Sequence, residues 1–187
     1  MTPEGRASNL GELELDGQKA KVDGATTFQA FAMIVTAEPY FAVTHPSDVV
    51  VMENEVRADT EGSAEEVDAK FDLLQRGEYS TITTGASPPR IDPRVPLSLY
   101  EARNAVQVAQ AAGADKYAGP SFQKAQPLLQ QAEDSQKRQV ARKNVEMSAR
   151  EAVQTAEDAR SITLKRLDEE RQEAERKAAD AREALAK

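Results

Sequence analysis

The chain has 187 residues, room for one ordinary domain or two small ones; 40% are apolar but only 5% aromatic, so large anchors are scarce and any core is thin. The net charge of −8 divides unevenly, with 17 acids against 8 bases in residues 1–96 and 15 against 16 in residues 97–187. That leaves no concentrated positive surface for nucleic acid, and the absence of cysteine excludes disulfides, thiolate metal sites and cysteine nucleophiles.

The first third alternates like a sheet. Leu13 and Leu15 share one strand face, Asp16-Gly17 reads as a type I′ hairpin turn, and Ala20 and Val22 form the returning strand. Phe28 to Thr36 is the most apolar stretch and predicts a central strand buried on both faces, ended by Pro39. Tyr40 to Val43 predicts a short strand before the turn at His45-Pro46-Ser47, and Asp48 to Val56 a strand rich in β-branched residues. After a polar break, Val67, Ala69, Phe71 and Leu73 alternate as a further strand. The expectation is a small β-sandwich-like domain over residues 1–79.

Residues 80–96 carry Gly85, Pro88, Pro89, Pro93 and Pro96 with little apolar content, the composition of an extended linker. From Leu97 the period becomes helical. Leu99, Ala102, Val106 and Ala109 share a face, Gly113 and Gly119-Pro120 bracket a loop, and Ser121 is placed to cap a second helix. The stripe of that helix is Phe122, Ala125, Leu128, Leu129 and Ala132, with Pro127 expected to kink it or delay its start. Val145, Ala149, Ala152, Ala156 and Ala159 mark a third. Three such stripes predict an antiparallel three-helix hairpin bundle over residues 97–187, and an α+β chain as a whole.

The last helix has no stop signal. From about Lys143 to Lys187 nothing breaks it, and the pattern still runs at the end, which predicts a natural polypeptide that continues. Past Ile162 the stripe becomes Leu164, Leu167, Arg171, Ala174, Ala178, Ala181 and Leu185. The step from Ala159 to Leu164 is five residues, one more than the pattern allows, and one residue is about 100° of helix rotation. The distal seam is therefore expected to face away from the other helices, toward a protein partner, a second copy or water. Charge pairs at i,i+4, Glu173 with Lys177, Arg171 with Glu175, Arg176 with Asp180 and Glu183 with Lys187, support such a helix alone.

Chemistry is sparse. His45 is the sole histidine; Ser47 and Asp48 stand beside it, but sequence neighbours seldom point at one another as a triad requires. Glu53, Glu55, Glu61, Glu65, Glu66 and Asp68 lack the alternating ligands and fixed glycine of a calcium loop, so they read as a solvated acidic face. No phosphate-binding glycine loop and no apolar run of 18 residues is present. No catalytic, cofactor-binding or metal-ligating residue is assigned, and the reading is non-enzymatic.

Two stretches carry a resemblance. Phe31-Ala-Met-Ile-Val-Thr-Ala-Glu-Pro-Tyr-Phe-Ala-Val43, followed by Pro46-Ser-Asp-Val-Val-Val-Met-Glu-Asn54, resembles a β-domain of bacterial envelope proteins. Tyr100-Glu-Ala-Arg-Asn-Ala-Val-Gln-Val-Ala-Gln-Ala-Ala-Gly-Ala114, with Ala118 to Ala132 and Ala149 to Ala159, resembles an alanine-rich helical domain of unknown function. In that family it is common in exported lipoproteins, often ahead of an OmpA-like peptidoglycan-binding domain. The resemblance implies a structural module of the periplasm or outer-membrane periphery, with indirect peptidoglycan or outer-membrane association. Met1 to Ser8 holds neither an apolar signal core nor a lipidated cysteine, and no OmpA-like domain follows, so the leader and anchor are expected outside this chain. The competing expectation is a cytoplasmic scaffold whose distal helix zips into a coiled coil.

Overall fold

A computed structural model describes residues 7–29, 31–47, 49–55 and 91–185. The chain forms two compact units, Met1–Arg90 and Ile91–Lys187. Together they are α+β: two small antiparallel sheets in the first, helices in the second.

In the first unit, β1 (Leu15–Asp16) pairs with β2 (Lys19–Ala20), Leu15 opposite Ala20. The loop between them is Gly17-Gln18, one residue later than expected. Of the two, only Gly17 has positive φ, at 64°. Positive φ at the first central position alone is the type II′ pattern, whereas type I′ needs it at both. Glycine there lacks the Cβ that would clash.

The second sheet joins β3 (Ile34–Thr36) to β4 (Val50–Glu53). The register jumps from Val35↔Met52 to Thr36↔Val50, leaving Val51 as a bulge residue. The predicted strand over Phe28 to Thr36 is thus reduced to three residues, and burial on both faces does not occur. Phe31 and Met33 are 49% and 53% exposed, and among the described residues this short strand pairs only with β4. Nor is Tyr40 to Val43 a strand. It is a turn whose carbonyls at Phe41 and Val43 accept from Asn9 Nδ2 at 2.8 and 2.9 Å, so a side-chain amide replaces a ladder. Tyr40 and Val43 are nevertheless buried, the buried apolar side chains among the described residues of this unit. The strand expected at Val67 to Leu73 lies outside the described residues, as do the end of the Asp48 to Val56 strand and residues 80–90 of the linker.

The second unit begins inside the Pro-rich stretch. The Asp92 amide donates to the Tyr100 hydroxyl at 3.0 Å, and Pro96 is buried as the N-cap of α1 (Leu97–Ala111). Gly113, at φ 91°, turns the chain into α2 (Ala114–Tyr117), a short helix inside the expected loop. Next, α3 (Gly119–Lys137) starts two residues before Ser121, which does not cap it. Ala118 is at the N-cap, and Pro120 fits the first turn because it has no N–H to satisfy there. The same early start means that Pro127 delays nothing; the helix runs through it.

Two backbone bonds close α3 in a Schellman motif, Val140 N to Ser135 O at 3.0 Å and Gln139 N to Gln136 O at 3.1 Å, with Gln139 left-handed at φ 54°. The chain then enters α4 (Arg142–Leu185), 44 residues long and about 66 Å at 1.5 Å per residue. Both α1 and α3 pack on α4 and on each other. Gln136 Nε2 donates to the Arg94 carbonyl at 3.3 Å and Arg103 pairs with Glu133 at 2.9 Å, which sets the start of α1 beside the end of α3.

The shared core consists largely of alanine: Ala102, Ala105 and Ala109 from α1, Ala125 and Ala132 from α3, and Ala149, Ala152, Ala156 and Ala159 from α4. Leu99, Phe122, Val145 and Val153 supply the larger buried side chains, while Leu128 and Leu129 are half-buried. Small side chains let helix axes approach closely, so close backbone contact does what bulky side chains do elsewhere.

Candidate interaction seam on the C-terminal helix

The inward face of α4 follows from spacing alone. Val145, Ala149, Ala152, Ala156, Ala159 and Thr163, at alternating steps of four and three, are all 0% exposed. Thr163 spends no unpaired hydroxyl there, since its Oγ1 donates to the Ala159 carbonyl at 2.8 Å. Continuing the alternation reaches Arg166 and Glu170, and both touch Tyr117. Arg166 Nη1 donates to the Tyr117 carbonyl, and the Tyr117 hydroxyl donates to Glu170 Oε2 at 3.1 Å. Lys116 covers the same ring, its Nζ 4.4 Å from the centroid and 2.9 Å from the hydroxyl. Its ammonium is held above its ordinary pKa chiefly by that hydrogen bond.

Leu164 and Leu167 stand one position beyond Thr163 and Arg166, hence about 100° around the helix. Leu164 is 37% exposed and Leu167 half-buried. From Arg171 to Leu185 every residue is exposed, Ala174, Ala178 and Ala181 among them, and Leu185 reaches 90%. The expected seam therefore lies on one helix and off the face that meets Tyr117. Along this tail Glu173 and Lys177 pair at 2.6 Å, and Arg171 pairs with Asp168.

The same face-counting should have revealed two residues that sequence reading passed over. Glu157 and Arg160 lie beside the inward alanines, their side chains 0% and 5% exposed, with Arg160 Nη1 donating to Glu157 Oε1 at 3.1 Å. Glu101 of α1 is also buried. Glu157 and Arg160 stand one residue from Ala156 and Ala159, which puts them at the helix contact despite their charge.

Elsewhere, His45 is exposed and lies 3.2 Å from the Thr44 hydroxyl, while Ser47 Oγ donates to the Ala37 carbonyl at 3.0 Å and accepts from the Val49 amide at 3.2 Å. Ser47 thus fixes a backbone corner. Glu53 and Glu55 are exposed, and Glu61, Glu65, Glu66 and Asp68 lie outside the described residues. Among the described residues no three His, Asp or Glu side chains converge as metal ligands, and no helix is long and apolar enough to cross a membrane.

Compared with known proteins, the chain matches no family model, no curated protein and no solved structure.

Proposed function

We propose that this chain is a non-catalytic structural and interaction module of the bacterial cell envelope, a periplasmic spacer or docking segment of an OmpA-like anchored protein. Its finer architecture is a β-sandwich-like unit followed by an antiparallel three-helix hairpin from which α4 extends. One observation supports the spacer role: the 15 residues Arg171–Leu185 are all exposed, about 22 Å of helix. A helix holds distance through backbone hydrogen bonds and i,i+4 ion pairs without needing a core. The envelope assignment rests on the resemblance of the two quoted stretches.

Fractionation of the producing bacterium tests the compartment. The protein is expected with the periplasmic or outer-membrane fraction; recovery wholly in the cytosol overturns the envelope reading. It would leave the alternative, a cytoplasmic scaffold that self-associates through the distal helix, which the exposed seam from Leu164 to Leu185 also supports.

A further inference from the structure

The exposed seam carries more information than its apolar character. Leu164, Leu167, Arg171, Ala174, Ala178, Ala181 and Leu185 step by three and four residues in strict alternation, a 3.5-residue repeat. Such a stripe stays on one side only of a helix that supercoils around another helix. In heptad terms Leu164, Arg171, Ala178 and Leu185 take position a, and Leu167, Ala174 and Ala181 take position d. Asp168, Glu175 and Arg182 flank the seam at e; Glu170, Lys177 and Ala184 flank it at g.

We propose that a second copy of this chain occupies this face, with the two tails antiparallel and Leu185 of each copy against Leu167 of the other. This rests on the reading of the tail as an exposed helix and adds its occupant and direction. Charge decides the direction. Two parallel tails would stack Arg171 on Arg171 in the seam, and would set Glu170 against Glu175 and Lys177 against Arg182 on both flanks, like against like throughout. Reversing one tail places Arg171 opposite Ala181, whose small side chain leaves room for the arginine stem to lie across the seam. It also brings Asp168 of each copy beside Arg182 of the other. Like charges then meet only at the two-fold axis, Glu175 with Glu175 and Lys177 with Lys177, and Lys177 is already paired with Glu173 of its own helix.

Burial decides the register. Sliding the tails one heptad deeper would drive the incoming helix onto Thr163, which is fully buried. Sliding them one heptad apart would lose both Leu167–Leu185 contacts. The remaining overlap, residues 167–185, is about 28 Å long with alanine at its centre. So small a contact makes the dimer weak and concentration-dependent.

Sedimentation equilibrium of the full chain from micromolar to millimolar concentration tests this. A monomer–dimer equilibrium is expected, abolished by Leu185→Glu. Asp168→Arg should weaken it about tenfold, and adding Arg182→Asp should restore it. Because the chain has no cysteine, single thiols report direction. Glu175→Cys copies should join through a short bismaleimide, whereas Leu185→Cys copies, about 27 Å apart, should not. A monomer at every concentration, a dimer indifferent to Leu185→Glu, or self-linking of Leu185→Cys each overturns the proposal. If the monomer keeps residues 171–185 helical, only the pairing has failed; if those residues have lost their helix, the spacer reading has failed with it.

Discussion

The Tyr117 hydroxyl donates to Glu170 Oε2 at 3.1 Å, and beyond this pair every described residue of α4 is exposed. Tyr117 ends α2, so a four-residue helix marks the place where a 44-residue helix leaves its neighbours. Hydrogen exchange should record that boundary. Amides around Ala149 to Ala159 should be strongly protected, and those from Arg171 to Leu185 only as far as a lone helix allows. Tyr117→Phe should speed exchange near Glu170 several-fold and leave Ala149 to Ala159 unchanged. Uniform protection to Leu185 in the monomer would contradict the boundary.

Alanines on the two parts of α4 should respond oppositely to enlargement. Ala152, 0% exposed at the helix contact, has no room for leucine, and Ala152→Leu should cost about 1–3 kcal/mol in urea unfolding. Ala178 is exposed, so Ala178→Leu should change monomer stability by about 0.5 kcal/mol or less.

Removing one member of the buried pair should be severe. Arg160→Met removes the cation that the buried Glu157 carboxylate meets at 3.1 Å and should destabilise by about 3 kcal/mol. Glu157→Leu combined with Arg160→Met removes both charges, and the double variant should be more stable than Arg160→Met alone. A double variant as weak as the sum of the singles would show that the two side chains act independently.

Gln139 takes a left-handed conformation that glycine adopts without steric cost. Gln139→Gly should therefore raise stability by about 1 kcal/mol while α3 and α4 keep their helicity. A loss of stability would mean that the Gln139 side chain holds the corner.

Asp92 introduces a pH dependence. Hydrogen bonds from the Arg94 side chain, then from its backbone N–H, hold the Asp92 carboxyl at about 2, below its ordinary 3.8. A depressed carboxylate stabilises fully above its unfolded pKa, and the contribution fades as pH falls through the folded value. The difference in thermal midpoint between the chain and its Asp92→Asn variant should be constant above about pH 5, shrink as the pH falls through about 2 and be nearly gone by about pH 1.5. A difference that persists at pH 1.5 would assign the effect to something other than the ionised carboxylate.

The helical half was open to sequence reading because its contacts repeat locally. Val145 to Ala159 recur at three and four residues, and a periodic stripe names its own buried face. The slip from Ala159 to Leu164 was visible for the same reason. Gln139 was not: α3 ends there without glycine or proline, and only the capping bonds of Ser135 and Gln136 expose the turn. Glu157 and Arg160 do not belong to the apolar stripe, so only their position one residue from Ala156 and Ala159 marks them as buried. The first unit was less legible. Phe28 to Thr36 has the composition of a central strand, yet burial of a strand is conferred by partners remote in sequence.

By itself, then, the sequence determined the helix faces, the absence of thiol chemistry and the 3.5-residue seam of the tail, all of which depend on residues a few positions apart. Tertiary structure alone decided which strands pair, that Asn9 closes the Tyr40 turn, that a glutamate and an arginine sit inside the alanine contact, and that Tyr117 marks the exit of α4. Those outcomes depend on groups tens of residues distant, whose meeting no local period encodes.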